Sequence, residues 1–515
     1  MKVHLKFTAI IVWGVATFAL IGLLPGCADA ANEEATAVSI TATTDAQVAD
    51  MTAQAGELAT STAQPEAAAE TAVSPQNTIR ELTILYTNDE HGWMAGSQAG
   101  ASAANLMGLW RTAEGYQPDG GNFLLLSGGD MWTGPAISTW FQGQSMAEVM
   151  NAMGYDAAAV GNHEFDFGLD ALQARAAESE FPFLSANIRY KSDGSTPVDL
   201  GIRPFTIVTV NDIQVGIIGL TTTSTPVTTN PVNVAEFEFI DYETALREVV
   251  PQVKAAGAEM IVVPGHVCQA ELESLAQDVV DLGIHLLGGG HCNELLAAEL
   301  NGIVLLEGGT AFAGYAHATF QFNTASDTVV AVEYGVRPNS GGTADPIVQS
   351  IVMRWQEEAD AELNRTIGYS EQGLVQRSQG MQSLITEAWL WAYPTADVAI
   401  TNLGGMRTDL PPGDITLADV VGVMPFDNVI VELQLTGEQL DVMLGQRSAA
   451  VGGVYRDNFR WYLQATGEEL DSDEIYTVLV NDFMYAGGDD YALLSVYDPD
   501  GYNTAINWRQ PVIDW

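Results

Sequence analysis

Short apolar runs alternate with amphipathic stretches along the chain after residue 78. The short runs have the length and composition of buried strands, and the longer stretches have apolar residues at helical spacing. The predicted strands are Leu82–Tyr86, Phe123–Leu126, Ala157–Val160, Phe183–Ala186, Gln214–Gly219, Met260–Val263, Leu286–Leu287 and Ile303–Leu306. The predicted helices are Ala103–Thr112, Ser145–Met153, Leu169–Ala177, Glu243–Ala255 and Ala270–Leu282. Strands that alternate with helices predict a layered α/β domain.

The alternation stops at residues 340–345, which read Ser-Gly-Gly-Thr-Ala-Asp. A helical pattern from Pro346 to about Asn364 follows and predicts a linking helix. A second α/β region then extends to the end of the chain. The whole sequence of 515 residues is too long for one hydrophobic core, since domains usually contain 100 to 200 residues. We therefore expect two sizeable domains.

The N-terminus has the features of an export signal. Lys2 and Lys6 precede an apolar run over residues 7–24, and Leu24-Pro25-Gly26-Cys27 follows it. A cysteine directly after such a site resembles a bacterial lipoprotein box, with Cys27 as the lipidated first residue of the mature chain. The alternative is an uncleaved membrane anchor, for which the run is short. Either interpretation exports the rest of the chain.

Residues 28–78 contain about one half Ala and Thr, no aromatic residue and no Lys or Arg. Such a segment buries too little apolar surface to fold, which predicts a disordered tether. Over the whole chain, 66 acidic residues against 19 basic ones give a net charge of −47. This charge argues against a nucleic-acid-binding surface and a polybasic membrane patch. A salt-rich habitat and an extracytoplasmic location would both suit it. The three cysteines are too few for a disulfide scaffold.

Polar motifs directly follow several of the predicted strands. They are Thr87-Asn88-Asp89-Glu90-His91-Gly92, Ser127-Gly128-Gly129-Asp130, Gly161-Asn162-His163-Glu164-Phe165-Asp166, Gly265-His266 and Gly288-Gly289-Gly290-His291. Ligands bind at the carboxyl ends of strands in open α/β sheets, so these side chains are expected to converge. A set of Asp, Asn and His suits divalent metals such as Zn²⁺, Mn²⁺, Fe²⁺ or Mg²⁺. One histidine after a strand is usually an ordinary turn residue, but the motifs together favour a metal site.

In this order the motifs resemble those of the calcineurin-like metallophosphoesterases. Their spacing and the C-terminal half of the chain are similar to the bacterial 5′-nucleotidase branch, over about residues 80–515. The resemblance implies a four-layer α/β/β/α catalytic domain at residues 79–340, a linker helix at 341–366 and a smaller α/β substrate-binding domain at 367–515. Residues 1–27 would be the lipoprotein signal peptide with its lipobox cysteine, and residues 28–78 the tether.

The resemblance also implies a two-metal site, with zinc, manganese, iron, magnesium or cobalt as the ions. One ion would bind Asp89, His91 and Asp130, with Asn293 as a further ligand, and the other would bind Asp130, Asn162, His266 and His291. Asp130 would bridge the two ions. His163 and Asp166 would form a catalytic dyad in which the carboxylate orients the imidazole. Glu164 is expected to be a solvated or supporting acid.

The second domain would bind the substrate. Asn402-Leu403-Gly404-Gly405-Met406-Arg407 resembles the phosphate-binding stretch of the family, and residues 424–428 and 483–489 resemble its two base-stacking segments. The implied substrate-binding residues are Arg377, Asn402, Arg407, Phe426, Asn428, Phe483 and Asp489. Phe426 and Phe483 would sandwich a nucleobase, or else they are core aromatics. A substrate held between two domains implies a hinge, which we place at the linking helix.

The sequence departs from the family pattern near three of these residues. Gly290-His291-Cys292-Asn293 stands where relatives often have Gly-His-x-His or Gly-His-x-Gln, so Asn293 is expected to hold its metal more weakly. Leu403 replaces a glycine, and Arg377 retains only part of a longer motif, so a phosphate ligand and a surface arginine are equal alternatives there. If His266 and His291 bind one metal, Cys268 and Cys292 come close enough for a disulfide. Two free thiols are the alternative.

The resemblance therefore implies an extracytoplasmic, membrane-tethered, metal-dependent 5′-nucleotidase that hydrolyses nucleoside phosphates to nucleoside and phosphate. Its partners would be a nucleotide or other small phosphate ester and the membrane, through the N-terminal lipid, with no nucleic acid. Alternatives on the same fold are a UDP-sugar hydrolase, a 2′,3′-cyclic-nucleotide phosphodiesterase and a thiosulfohydrolase or sulfate-ester hydrolase. A non-catalytic surface binding protein is the alternative from a different class.

Overall fold

The computed structural model describes residues 78–118, 120–446 and 449–515, which belong to one compact unit. The predicted signal peptide, Cys27 and almost all of the predicted tether lie outside the described residues. Within the described ranges, no helix has both the length and the apolar character needed to cross a membrane.

The first part of the chain builds two large sheets with helices on their outer faces, and two short strands, Ile188–Tyr190 and Phe237–Phe239, pair separately. Its strands are β1 (Ile79–Thr87), β2 (Phe123–Ser127), β3 (Ala157–Ala159), β4 (Phe183–Leu184), β5 (Ile188–Tyr190), β6 (Ile202–Arg203), β7 (Phe205–Val210), β8 (Ile213–Ile218), β9 (Phe237–Phe239), β10 (Met260–Val263), β11 (Leu286–Gly288), β12 (Leu295–Leu300), β13 (Ile303–Gly308), β14 (Gly314–Asn323) and β15 (Thr328–Pro338). Its helices are α1 (Ala103–Leu109), α2 (Ala136–Thr139), α3 (Gln144–Met153), α4 (Gly168–Glu178), α5 (Thr225–Thr228), α6 (Tyr242–Ala255) and α7 (Gln269–Asp278).

These elements form the four layers that the sequence analysis expects. One sheet has seven strands in the order β15-β14-β1-β2-β3-β4-β6, and the other has six in the order β12-β13-β11-β10-β8-β7. The sheets face each other across a core that includes Ile84 and Val262. Helices α1, α3 and α4 cover the first sheet, and α6 and α7 cover the second. The α/β/β/α prediction is confirmed, and the central strands of both sheets carry the polar motifs at their carboxyl ends.

All eight predicted strands and all five predicted helices are present, with small differences at their ends. The helix from Ala103 ends at Leu109 and continues as a wider turn over Trp110–Glu114. The segment from Ala270 divides into α7 and a separate turn at Val280–Leu282. The sequence analysis missed six antiparallel strands of this part, which are β5, β7, β9, β12, β14 and β15. The hairpin of β7 and β8 had a local signal, since Asn211 and Asp212 connect the strands with positive φ angles typical of a tight turn.

Helix α8 (Pro346–Leu363) links the two parts of the chain, as predicted. The Asp345 side chain accepts hydrogen bonds from the Ile347 and Val348 backbone N–H groups and so caps the helix. Val352 and Trp355 pack into the core beneath α3, whereas Leu363 packs with Ala136 and with Val421 of the second part. Most of the helix therefore packs against the first part of the chain, and its C-terminal end contacts both parts.

The second part contains a five-stranded mixed sheet in the order β20-β17-β23-β19-β24. Its strands are β16 (Thr366–Ser370), β17 (Val398–Asn402), β18 (Gly413–Thr416), β19 (Val429–Thr436), β20 (Ala449–Gly452), β21 (Val454–Asp457), β22 (Arg460–Leu463), β23 (Ile475–Asn481) and β24 (Tyr502–Asn507). Its helices are α9 (Gln379–Ala392), α10 (Leu417–Val423), α11 (Gly437–Leu444), α12 (Asp482–Tyr485), α13 (Leu493–Tyr497) and α14 (Gln510–Asp514). Helices α9, α10 and α14 pack on one face and α11, α12 and α13 on the other. The exact boundaries of the two domains remain a prediction.

Candidate metal centre and active site

The turns that follow the central strands have unusual backbone conformations. Five of the seven predicted metal ligands have positive φ angles, namely Asp89, His91, Asp130, His291 and Asn293. Such angles are uncommon for residues other than glycine and concentrate at functional sites. These φ angles restrict the directions in which the five side chains leave the backbone. The backbone conformation of the turns therefore contributes to the position of each side chain.

Asp130 lies at the centre of the site. Its Oδ2 lies 2.9 Å from His266 Nε2, 3.9 Å from His91 Nε2 and 4.0 Å from His163 Nε2. Two groups of side chains place their potential ligand atoms within 4.8 Å of one another: His91, Asp130 and His163, and Asp130, His266 and His291. Asp130 belongs to both groups, as a bridging carboxylate would. The first group contains His163 where the prediction has Asp89, whose Oδ1 lies 3.7 Å from His91 Nε2.

The two histidines deepest in the site are oriented by backbone carbonyls. His91 Nδ1 donates to Thr133 O at 3.0 Å, and His266 Nδ1 donates to Gly128 O at 2.9 Å. These hydrogen bonds direct both Nε2 atoms towards Asp130, the arrangement expected of metal-binding imidazoles. His291 Nδ1 lies 3.2 Å from His266 Nε2.

Two buried oxygen atoms of the site lack a hydrogen-bond donor, as the ligands of a cation would. Asp89 Oδ1 and Asn162 Oδ1 are buried and accept no hydrogen bond from any described residue. The Asn162 amide Nδ2 donates to Thr228 O at 3.1 Å, which leaves Oδ1 available on the site side. Buried polar atoms without partners are rare because their desolvation costs free energy. The mixed oxygen and nitrogen donors therefore fit divalent metal ions.

The protonation of His291 and His91 is consistent with that assignment. Burial lowers the pKa of His291 to about 4, with a further contribution from His266. Burial also lowers the pKa of His91, and Arg407 adds to the effect. Both imidazoles are therefore neutral and keep a lone pair for a metal. Burial lowers the pKa of His266, but the carboxylates of Asp130, Asp89 and Glu164 together outweigh burial and raise it to about 10. This imidazole is therefore protonated without a metal ion, and an ion bound there would displace the proton.

His163 and Asp166 form the predicted pair. His163 Nδ1 lies 2.7 Å from Asp166 Oδ2, and both residues occupy the short helical turn after β3. Burial lowers the pKa of His163, but the carboxylates of Asp166 and Asp130 outweigh burial and raise it above its ordinary value. The imidazole therefore carries a proton readily beside the predicted metal ligands.

Glu164 is a supporting residue that the sequence analysis placed only loosely. Of the two alternatives in the sequence analysis, the structure has the supporting acid and not the solvated one, because the side chain is buried. Its carboxylate accepts hydrogen bonds from the backbone N–H groups of Asp130, Met131 and Gly161, at 2.9, 2.8 and 2.5 Å. One side chain thus joins the turn after β2 to the turn after β3 and sets the position of Asp130.

Cys268 and Cys292 form a disulfide, with their Cα atoms 5.2 Å apart. Of the two alternatives in the sequence analysis, the structure contains the bridge. It connects the loop of His266 to the loop of His291, so a covalent bond holds these two predicted ligands together.

A cavity of about 300 Å³ lies above this cluster, between the two parts of the chain. Fourteen of the sixteen predicted metal, catalytic and substrate residues line it: His91, Asp130, Asn162, His163, Asp166, His291, Asn293, Arg377, Asn402, Arg407, Phe426, Asn428, Phe483 and Asp489. The other two, Asp89 and His266, lie beneath its floor, almost fully buried. Thr228, Thr229 and Asn230 also line the cavity, and the sequence analysis missed them.

The second part supplies the opposite wall. Arg407 Nη2 lies 3.2 Å from His91 Nε2, and its guanidinium carbon lies 6.0 Å from the centre of the Phe426 ring. Phe426 itself lies 5.8 Å from the His163 ring. The Asn402 side chain donates to Asp489 at 2.8 Å, and the Asn428 side chain donates to Asp482 at 2.7 Å. A cation, an aromatic face and several amide and carboxylate groups thus face the predicted metal ligands.

Comparison with known proteins agrees with this arrangement. Residues 361–495 match the family model of the 5′-nucleotidase C-terminal domain. The chain is 30% identical to the human 5′-nucleotidase in an alignment of 448 positions that covers 77% of this chain and 75% of the human protein.

Solved structures share the fold. A 5′-nucleotidase precursor from Thermus thermophilus superimposes with a TM-score of 0.70 at 23% identity, covering 84% of this chain and 96% of that one. The sulfate thiohydrolase SoxB of the same organism superimposes with a TM-score of 0.65 at 17% identity, covering 84% and 93%. The two-part architecture, the family model and the identity to a named relative lead to one conclusion: the chain belongs to the 5′-nucleotidase family and is a phosphoric ester hydrolase.

Proposed function

We propose that this protein is a metal-dependent 5′-nucleotidase that converts nucleoside phosphates to nucleoside and inorganic phosphate. The observation that carries the proposal is the pair of buried, unpartnered oxygens of Asp89 and Asn162 beside a carboxylate common to two ligand groups. In this proposal Asp89, His91 and Asp130 hold one divalent ion, with Asn293 as a further ligand. Asp130, Asn162, His266 and His291 hold the other. Such ions acidify a bound water and neutralise charge on the phosphoryl oxygens.

His163 acts on the phosphoryl group in this proposal. Its Nδ1 is hydrogen-bonded to Asp166, so Nε2 is the nitrogen that faces the cavity. This Nε2 lies 4.0 Å from Asp130 Oδ2. A protonated imidazole there stabilises the negative charge that develops in the transition state and helps the leaving oxygen depart. Asp166 holds the ring in this orientation and balances its charge.

Arg407 is the phosphate-binding residue of the second part. It is the cation that lies against His91, and a guanidinium binds phosphate through paired N–H donors. Arg377 lines the same cavity and is a weaker candidate for the same role. Phe426 and Phe483 offer aromatic faces to a nucleobase, and Asn402, Asn428 and Asp489 offer polar groups to the base or the ribose. The half-buried position of both rings on the cavity wall supports this role over that of core aromatics.

We propose an extracytoplasmic location, on the sequence of residues 1–27 and the tether that follows. The lipid on Cys27 and the attachment to the membrane belong to this proposal. The domain limits of 79–340, 341–366 and 367–515 are part of it as well.

The test is hydrolysis by the purified protein with Mn²⁺ and with excess chelator. The substrates are AMP, ADP, ATP, UDP-glucose, 2′,3′-cyclic AMP, an aryl phosphate and an aryl sulfate. Metal-dependent phosphate release from AMP that His163→Ala abolishes is the expected result. Preference for UDP-glucose, the cyclic nucleotide or the sulfate ester would replace the nucleotidase with the corresponding hydrolase. No hydrolysis by a protein that binds metal would leave a binding role.

A further inference from the structure

Residues 222–233 lie against the side of the catalytic turns and contact several of their side chains. Ser224 Oγ lies 3.3 Å from His291 Nε2, and the Thr228 carbonyl accepts the hydrogen bond from Asn162. Asn233 Nδ2 donates to the Phe165 carbonyl at 2.8 Å, next to the dyad carboxylate. No strand-end motif marks this segment in the sequence, yet it contacts two of the predicted metal ligands, Asn162 and His291, and the dyad.

Thr229 makes the contact that bears most directly on catalysis. Its Oγ1 donates to Asp166 Oδ1 at 2.9 Å, while Asp166 Oδ2 contacts His163 Nδ1 at 2.7 Å. Thr229 is 2% exposed, and the Asp166 side chain is 4% exposed. The two carboxylate oxygens therefore have separate partners, and water has little access to replace either of them.

We propose that Thr229 is a positioning residue for the His163–Asp166 dyad, an inference that rests on the proposed function of that dyad. A carboxylate held at only one oxygen can rotate about its Cβ–Cγ bond. The hydroxyl of Thr229 fixes the second oxygen, so the plane of the carboxylate and the imidazole it orients are both set before substrate binds. Hydrogen bonds to a charged group are among the stronger ones in proteins.

Thr225 offers a matched control in the same segment. It is also fully buried, and its hydroxyl donates to the Thr222 carbonyl at 2.6 Å. It does not line the cavity. Replacement of either threonine by valine removes one buried hydroxyl from residues 222–233, but only Thr229→Val removes a hydrogen bond to the dyad.

The experiment measures kcat and KM for AMP, bound metal and Tm in wild type and variants. We expect Thr229→Val to lower kcat by about tenfold to a hundredfold, the range of one hydrogen bond to a charged group. KM and metal content should stay unchanged. Thr229→Ala should behave in the same way, Thr229→Ser should recover most of the activity, and Thr225→Val should keep the wild-type kcat.

The second measurement repeats Thr229→Val in a protein that already carries Asp166→Ala. If Thr229 acts through Asp166, the second substitution lowers kcat no further. The same fold-loss in both backgrounds would overturn the proposal, and so would a wild-type kcat in Thr229→Val and Thr229→Ala. His163→Ala distinguishes failure of the proposed dyad from failure of the proposed role of Thr229. An active His163→Ala protein would contradict the dyad. An inactive His163→Ala protein together with a fully active Thr229→Val protein would contradict only the role of Thr229.

Discussion

The two walls of the cavity are held in place by different means. On the catalytic side, left-handed turns directly after the strands fix Asp89, Asp130 and His291, and Glu164 bonds two of the catalytic turns together. On the opposite side, polar side chains pair with one another, as Asn402 does with Asp489 and Asn428 with Asp482. Arg377 and Asp489 on the opposite side also have positive φ angles. The catalytic side differs because Glu164 and the Cys268–Cys292 disulfide connect its turns to one another.

We therefore expect substitutions on the two walls to have different effects. A change on the catalytic wall should affect metal binding and kcat, because the geometry of the reaction depends on it. A change on the opposite wall should affect mainly KM and the choice of substrate. The predictions below test that division, beginning with the largest expected effect.

Asp130→Asn should lower kcat/KM for AMP by roughly a thousandfold or more, because the carboxylate belongs to both ligand groups and carries the charge that balances the ions. Metal analysis of the same preparation should find less than the wild-type content. Asp170→Asn, at an exposed position of α4, is the control and should behave as wild type. A fully active Asp130→Asn protein would contradict the central place of this residue.

Arg407→Ala should raise KM for AMP by about tenfold to a hundredfold, since it removes charge-assisted hydrogen bonds to phosphate. The effect on kcat should be smaller. Arg407→Lys should recover only part of the affinity, because an ammonium lacks the paired donors. A fall in kcat with unchanged KM would place Arg407 with the catalytic wall and weaken the division between the walls.

Glu164→Gln should lower metal affinity by roughly tenfold to a hundredfold, as the loss of other groups that orient ligands does. The amide keeps only one acceptor oxygen, so its NH₂ group would face at least one of the three backbone N–H groups that now donate to the carboxylate. Titration of the metal-free protein with Mn²⁺ measures the effect. Glu180→Gln, on the exposed surface, is the matched control, and equal affinity in the two variants would disprove the supporting role.

Glu307 on β13 should give the smallest effect, seen in stability alone. Burial raises its pKa from 4.5 to about 9, and Glu294 adds to the rise. Because the folded pKa exceeds the unfolded one, the stabilising contribution is complete below pH 4.5 and is lost as the pH rises towards 9. Glu307→Gln should therefore have a higher Tm than wild type at about pH 9 and a similar Tm at about pH 5, in chelator. A difference independent of pH would contradict the raised pKa.

Much of the site was predictable because its residues are local in sequence. Asp89, Asp130 and His163 each lie within a few residues of a strand with a clear apolar pattern, and the topology of parallel strands brings such residues together. The pairing of Cys268 with Cys292 followed from the same reasoning, although only the structure could choose between a disulfide and free thiols.

The supporting residues were harder to predict because their partners are distant or of an unexpected kind. Thr229 lies 63 positions after Asp166, in a segment without a strand-end motif. The hydrogen-bond partners of Glu164 are backbone N–H groups, so the sequence contains no basic side chain that would predict its burial. The hairpin of β14 and β15 was missed since β15 is an edge strand with mostly exposed residues.

The most direct test of the account is metal removal and return with AMP as substrate. Chelation should abolish phosphate release, and titration with Mn²⁺ should restore it with two ions bound per chain. Dependence on two ions would support the roles given to Asp89, Asn162 and Asp130. Undiminished phosphate release from a protein shown by elemental analysis to hold no metal would contradict the central claim.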